Sequence, residues 1–164
     1  LLVNPENKVK NISLEDVKKI YTGEITNWKD LGGEDAPIVV VSREEGSGTR
    51  DAFQEIVGYE SEELTKDASI SDGSGAVKTT VAGNKNAIGF ASFEYIDDTV
   101  SALSVNDVEP TAENVKAGDY KISRPFLLVT SKDTLTDEGQ KLIDFVLSSE
   151  GQQIVKDNKL ITIE

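Results

Sequence analysis

The stretch Ile38-Val39-Val40-Val41-Ser42-Arg43-Glu44-Glu45-Gly46-Ser47-Gly48-Thr49-Arg50, continuing into Asp51-Ala52-Phe53-Gln54-Glu55-Ile56-Val57, decides the fold. Its first four residues are an unbroken β-branched run, the pattern of a strand buried on both faces. After a polar Gly/Ser loop, Phe53, Ile56 and Val57 recur at helical spacing. Strand, loop and helix in that order predict an α/β unit.

Working outward, the same alternation continues. Residues 1–3 read as a short strand and 14–21 as a helix, with Ser13 as N-cap and Asp16 as the acid three residues on; Gly23 stops it. A turn-rich stretch covers 27–37. Gly73-Ser74-Gly75 opens a helix through Val77 and Val81, 83–86 turns, and 87–91 is a strand. Residues 101–105 read as a strand and 111–117 as a short helix ending near Gly118. Residues 122–130 form a long apolar run interrupted by Pro125, expected to be an edge strand or a crossing between lobes. Two helices close the chain, the first marked by Leu142, Ile143, Phe145 and Val146 and the second within 152–157. The order predicts an α/β fold with a sheet covered by helices on both faces.

The 164 residues suit one domain or two small lobes, and no stretch nears the roughly 20 apolar residues of a membrane helix. Seventeen basic against thirty acidic residues give a formal net charge of −13, which repels nucleic acid and anionic lipid, so no nucleic-acid partner is expected. A small anion is repelled at long range too, so any anion site must work through short-range donors. Cys, His and Met are absent. That removes the usual zinc, copper and iron–sulfur ligand sets and the Ser-His and Cys-His nucleophile pairs, so no metal or cofactor is expected. A chain without Cys fits an exported protein and many cytosolic ones alike. The opening Leu1-Leu2-Val3-Asn4-Pro5 has no basic stretch and no initiating Met; it reads as the interior of a strand, and the expectation is a portion of a longer protein.

The loop after residue 41 carries the chemistry. Glycines 46 and 48 let backbone approach a ligand, and Ser47 and Thr49 place hydroxyls near the first helical turn. Free N–H groups at a helix start carry partial positive charge and bind oxyanions without net charge. Arg43 supplies a planar fork for two oxygens, and Glu45, two residues on, is expected to orient it. On spacing alone the same residues serve equally as a plain cap and turn. The loop is not a nucleotide-binding Walker motif, since no Lys follows the glycines. Gly73-Ser74-Gly75 is either a second helix start aimed at the ligand or a helix start and nothing else. Glu44 and Glu45 read as solvated loop acids rather than a catalytic pair, Tyr21, Trp28 and Phe90 as packing, and 60–63 as a solvated acidic face.

Several segments together resemble the phosphate-binding protein of bacterial phosphate ABC transporters. They are residues 17–28 (Val-Lys-Lys-Ile-Tyr-Thr-Gly-Glu-Ile-Thr-Asn-Trp), 42–53, Gly73-Ser74-Gly75-Ala76-Val77, Asn86-Ala87-Ile88-Gly89-Phe90 and Ser148-Ser149-Glu150-Gly151-Gln152. The resemblance implies a type II periplasmic-binding-protein lobe with a central mixed sheet, and phosphate enclosed between two lobes. Residues 1–121 would be the second, phosphate-gripping lobe, and 122–164 a hinge strand with C-terminal helices returning toward the first. The family's second-lobe ligands fall on Arg43, Ser47, Gly48 and Thr49, with Glu45, Arg50 and Ser74 as candidates behind them. The first-lobe ligands, including the Asp to which the family assigns selectivity for hydrogen phosphate, fall outside this chain. The implied partners are inorganic phosphate and the permease subunits of an ABC importer, with no catalysis. The implied setting is extracytoplasmic, as a periplasmic protein or a cell-surface lipoprotein. An apolar face left by truncation would favour a dimer. The alternatives are a protein for another tetrahedral oxyanion, and a phosphate-ester hydrolase, which the absence of His and Cys disfavours.

Overall fold

The computed structural model describes residues 1–131 and 133–163. Its strands are β1 (Leu2–Val3), β2 (Asn11–Ile12), β3 (Val39–Arg43), β4 (Ser69–Ser71), β5 (Ala87–Gly89), β6 (Ser101–Ala102) and β7 (Ser104–Val105). Five form one mixed sheet in the order β4-β3-β5-β1-β6, with β3 parallel to β4 and β5 and β1 antiparallel to β5 and β6. β2 and β7 make a separate parallel pair. The helices are α1 (Leu14–Tyr21), α2 (Gly48–Val57), α3 (Ser74–Ala82), α4 (Ala112–Lys116), α5 (Asp137–Leu147) and α6 (Ser149–Asp157).

Period-two alternation sorts the core onto the two faces of the sheet. Val40 and Ile88 join one core with Val17, Ile20 and Tyr21 of α1 and Phe53 and Val57 of α2. Val41 and Ala87 join the other, with Val77 and Val81 of α3. β3 therefore lies between two strands and between two helical layers, which accounts for its uninterrupted β-branched run. Each such side chain contributes about 1.5–3 kcal/mol on full burial. The central mixed sheet flanked by helices agrees with the sequence reading.

Local chemistry fixes the helix ends. Ser13 Oγ accepts from the Asp16 N–H at 3.0 Å and donates to its carboxylate at 2.7 Å, and Gly23 follows α1 at φ +81°. Thr111 caps α4, and Gly118 closes it at φ +75°. Trp28 is buried and its Nε1–H donates to Asn86 O at 2.9 Å, tying the 27–37 turns to the residue preceding β5. Tyr21, Phe53 and Phe90 pack as one aromatic group, Phe53 stacked on Phe90 with ring centroids 4.1 Å apart.

Two expectations need correction. Residues 101–105 are not one strand. At Leu103, whose N–H donates to Leu1 O at 3.1 Å, the chain leaves the large sheet, and Ser104 and Val105 pair with β2. Residues 122–130 form no strand among the described residues. Their composition suits a strand, but the ladder needs a neighbour, Pro125 removes a donor, and Phe126 and Val129 stand 79% and 88% exposed.

The chain divides into two compact units, Leu1–Ser123 and Arg124–Glu164. The sheet and α1 to α4 belong to the first. In the second, Ser148 ends α5 and caps α6, accepting from the Gly151 N–H at 3.3 Å. Gln152 is buried and bridges, its Nε2–H donating to Val146 O and its Oε1 accepting from the Ile163 N–H, both at 2.9 Å.

Candidate anion-binding site

Parallel neighbours deliver their following segments to the same sheet edge. Arg43 at the end of β3 pairs in register with Ser71 at the end of β4, so the loop leading into α2 and the turn leading into α3 leave the carboxyl edge side by side. Two helix N-termini therefore converge there, each with first-turn amides that have no partner within the helix. The Gly73-Ser74-Gly75 start is thus brought beside the Gly46-Ser47-Gly48 start.

Two glycines make the approach possible. Gly46 lies at φ +78° and turns the chain between Glu45 and Ser47; Gly73 lies at φ +83° and ψ 156°, a conformation almost reserved for glycine. Ser47 is 5% exposed and caps α2, its Oγ accepting from the Arg50 N–H at 3.2 Å, while its carbonyl accepts from Asp51 N–H. The amides of Gly48, which is exposed, and of half-buried Thr49 remain as the donors at the tip.

Arg43 is held at its fork. Its Nε–H and Nη2–H donate to the two carboxylate oxygens of Glu44 at 2.7 and 2.6 Å, and Nη1–H donates to Ser74 Oγ at 2.9 Å. That uses three of the guanidinium's five N–H groups. Glu44 also accepts from the Gly73 N–H at 3.3 Å, so one carboxylate links β3 to the start of α3. The Arg43 guanidinium, the residue's own backbone N–H and that of Gly73 hold the Glu44 carboxyl down at about 2. Glu44 in turn raises Arg43 above its ordinary value.

This corrects the expectation for Glu45. Its side chain lies exposed in the turn, whereas Glu44 leaves β3 beside Arg43 and within reach of the neighbouring turn. Ser74 is 8% exposed, and its Oγ accepts from Arg43.

Arg50, a candidate behind the ligands, is buried beneath the loop. It is 5% exposed, its Nη1–H donates to Arg43 O at 3.1 Å, and its Nε–H has no partner among the described residues. Close by, burial pushes the Tyr59 phenol up, against the opposing pull of the Arg50 charge. The signal was in the spacing. Arg50, Phe53, Gln54 and Val57 stand at i, i+3, i+4 and i+7, and all four are buried on one face of α2.

Chemically, this edge offers backbone amides, a fixed guanidinium and a buried cation, all donors, arranged for a small oxyanion. Among the described residues, no group of three or more acids could hold a metal ion. Fold and site together define an α/β lobe that brings two helix starts and the Arg43 guanidinium to the carboxyl edge of its sheet.

Comparison with known proteins narrows the class. Residues 1–150 match the PBP superfamily domain. A phosphate-binding protein PstS of Bacillus subtilis is 39% identical over 166 residues, covering 98% of this chain and 53% of its own. A substrate-binding protein assigned to phosphate ABC transport in Clostridium perfringens, solved with bound phosphate, is 59% identical with TM-score 0.92. That match covers 99% of this chain and 67% of the relative. An ABC-type phosphate transport receptor of Vibrio cholerae is 33% identical with TM-score 0.89, covering 98% and 67%. The chain belongs to the PBP superfamily and, within it, to the family of PstS phosphate-binding proteins. It spans about half the length of the curated relatives it matches.

Proposed function

We propose that this chain supplies the phosphate-gripping side of a solute-binding protein serving an ABC phosphate importer. The observation that carries the reading is the pair of helix starts at one sheet edge, with Arg43 fixed between them by Glu44 and Ser74. In this reading the amides of Gly48 and Thr49, the Thr49 and Ser47 hydroxyls and the remaining Arg43 N–H groups receive phosphate oxygens. Ser47 Oγ accepts from Arg50 N–H, so its own proton is available to an anion. The relatives' names, which speak of phosphate binding and phosphate transport, support phosphate over other tetrahedral oxyanions.

The role is capture and delivery without covalent chemistry, with permease subunits as partners and an extracytoplasmic setting, free or lipid-anchored. No helix among the described residues is long and apolar enough to cross a membrane. Residues 122–164 serve as the connecting segment and C-terminal helices. The exposed apolar run 126–129 supports self-association of the chain in isolation.

Titration calorimetry on the two-lobed protein tests the site. Ser47→Ala with Thr49→Ala should lose roughly 1.5–3 kcal/mol of phosphate binding for each charge-assisted hydrogen bond removed. Unchanged affinity would overturn the reading.

A further inference from the structure

Arg43 cannot by itself offset the charge of a bound phosphate. Its guanidinium is already paired in bidentate fashion with Glu44, so the pair is formally neutral. The amides contribute dipoles only. Arg50 differs: among the described residues the ion pairs are Lys8–Glu34, Lys19–Glu15, Lys29–Asp35, Arg43–Glu44, Lys78–Asp97 and Lys85–Glu34, and none engages it. Its guanidinium donates to the Arg43 carbonyl, the phenol of Tyr59 lies close enough to feel its charge, and Gln54 lies one helical turn on along the same buried face. A buried charge without a counter-ion is costly, and folds retain such charges paired or at functional positions. Here it lies beneath the loop it helps build. Its backbone N–H is held by Ser47, and its side chain returns to the carbonyl of Arg43, the residue from which the loop starts.

We infer that Arg50 is the electrostatic counter-charge of the anion site, a positioning residue that acts through the loop rather than by touching the ligand. This rests on the phosphate reading above. In a molecule of net charge −13 it gives the sheet edge a local positive potential that the neutral Arg43–Glu44 pair does not. Being buried, it is screened by salt far less than a surface lysine.

The test compares wild type, Arg50→Lys and Arg50→Gln in the two-lobed protein, with inorganic phosphate titrated calorimetrically at a pH where it is the monoanion and at one where it is the dianion. Arg50→Gln is expected to weaken dianion binding by roughly ten- to hundredfold and monoanion binding by clearly less, with Arg50→Lys restoring most of the loss. Thermal unfolding without phosphate is expected to leave Arg50→Gln at least as stable as wild type, because an uncompensated buried charge has been removed. Equal losses for both ionic forms, or no recovery with Lys, would assign Arg50 to packing and overturn the inference. If Ser47→Ala with Thr49→Ala weakens binding while Arg50→Gln does not, the inference fails alone. Absence of phosphate binding by the wild type overturns both.

Discussion

Ser47 has two duties that a single substitution can separate. Its Oγ caps α2 by accepting from Arg50 N–H at 3.2 Å, and in the proposed site the same residue faces the anion. Ser47→Ala removes both, at about 1 kcal/mol of stability for the cap and roughly 1.5–3 kcal/mol of phosphate affinity. Ser47→Asp keeps the cap, because Asp ranks with Ser at this position and its charge favours a helix start. It also puts a carboxylate where the anion should sit. Two unit charges about 4 Å apart at an effective dielectric near 20 repel by about 4 kcal/mol, so phosphate binding should fall by at least about a thousandfold. Denaturant titration and calorimetry on the two-lobed protein read the two effects independently. The expected pattern is Ala destabilised and weakened, and Asp close to wild-type stability yet unable to bind. Phosphate affinity in Ser47→Asp within tenfold of wild type would refute an anion at this helix start.

Three further outcomes follow from the geometry. Glu44 is depressed from an ordinary value near 4.5 to about 2. A depressed carboxyl contributes stability above its unfolded value and loses it as pH falls through the folded one, so wild type should lose more stability than Glu44→Gln between about pH 4.5 and 2 in denaturant titrations. Parallel acid profiles would deny the linkage of β3 to α3. A Cβ at Gly89 would meet Val77 Cγ1 at 2.7 Å and Val81 Cγ2 at 3.0 Å, so Gly89→Ala should cost about 1–3 kcal/mol. Adding Val77→Ala should cost less than the two separate penalties together, and strict additivity would place the clash elsewhere. The 164-residue chain alone should associate at high concentration through the run containing Phe126, Leu127, Leu128 and Val129, and Leu127→Lys with Val129→Lys should keep it monomeric. Light scattering showing a strict monomer for the unsubstituted chain would dismiss that association.

Much of this was legible because local signals and tertiary demands agree. The four β-branched residues from Ile38 fall where β3 needs cover on both faces, and Ser13 with Asp16 starts α1 at the expected residue. Residues 122–130 show the opposite case. Composition records that a segment can be a strand, but pairing depends on a neighbour, and a sequence window carries no information about one. The split of 101–105 has the same origin, since two sheets compete for adjacent residues and Leu103 turns between them. At the site, the sequence indicates that a guanidinium and acids share a loop, but not which acid closes on it. Glu44 does so because β4 brings the Gly73 amide to the same carboxylate, a contact made 29 residues away in the chain.

The charge balance makes the site's logic more specific than the loop motif alone. A strongly acidic protein attracts no anion at a distance, so a grip on phosphate has to be built from groups that act at contact or are shielded from solvent. The edge has both kinds, amides at two helix starts for contact and Arg50 beneath them for charge. Glu44 cancels the formal charge of Arg43 and fixes its orientation, which converts that residue from a charge into a directional donor. On this division of labour, replacing Arg43 should chiefly impair discrimination among oxyanion shapes, and replacing Arg50 should chiefly impair discrimination among oxyanion charges.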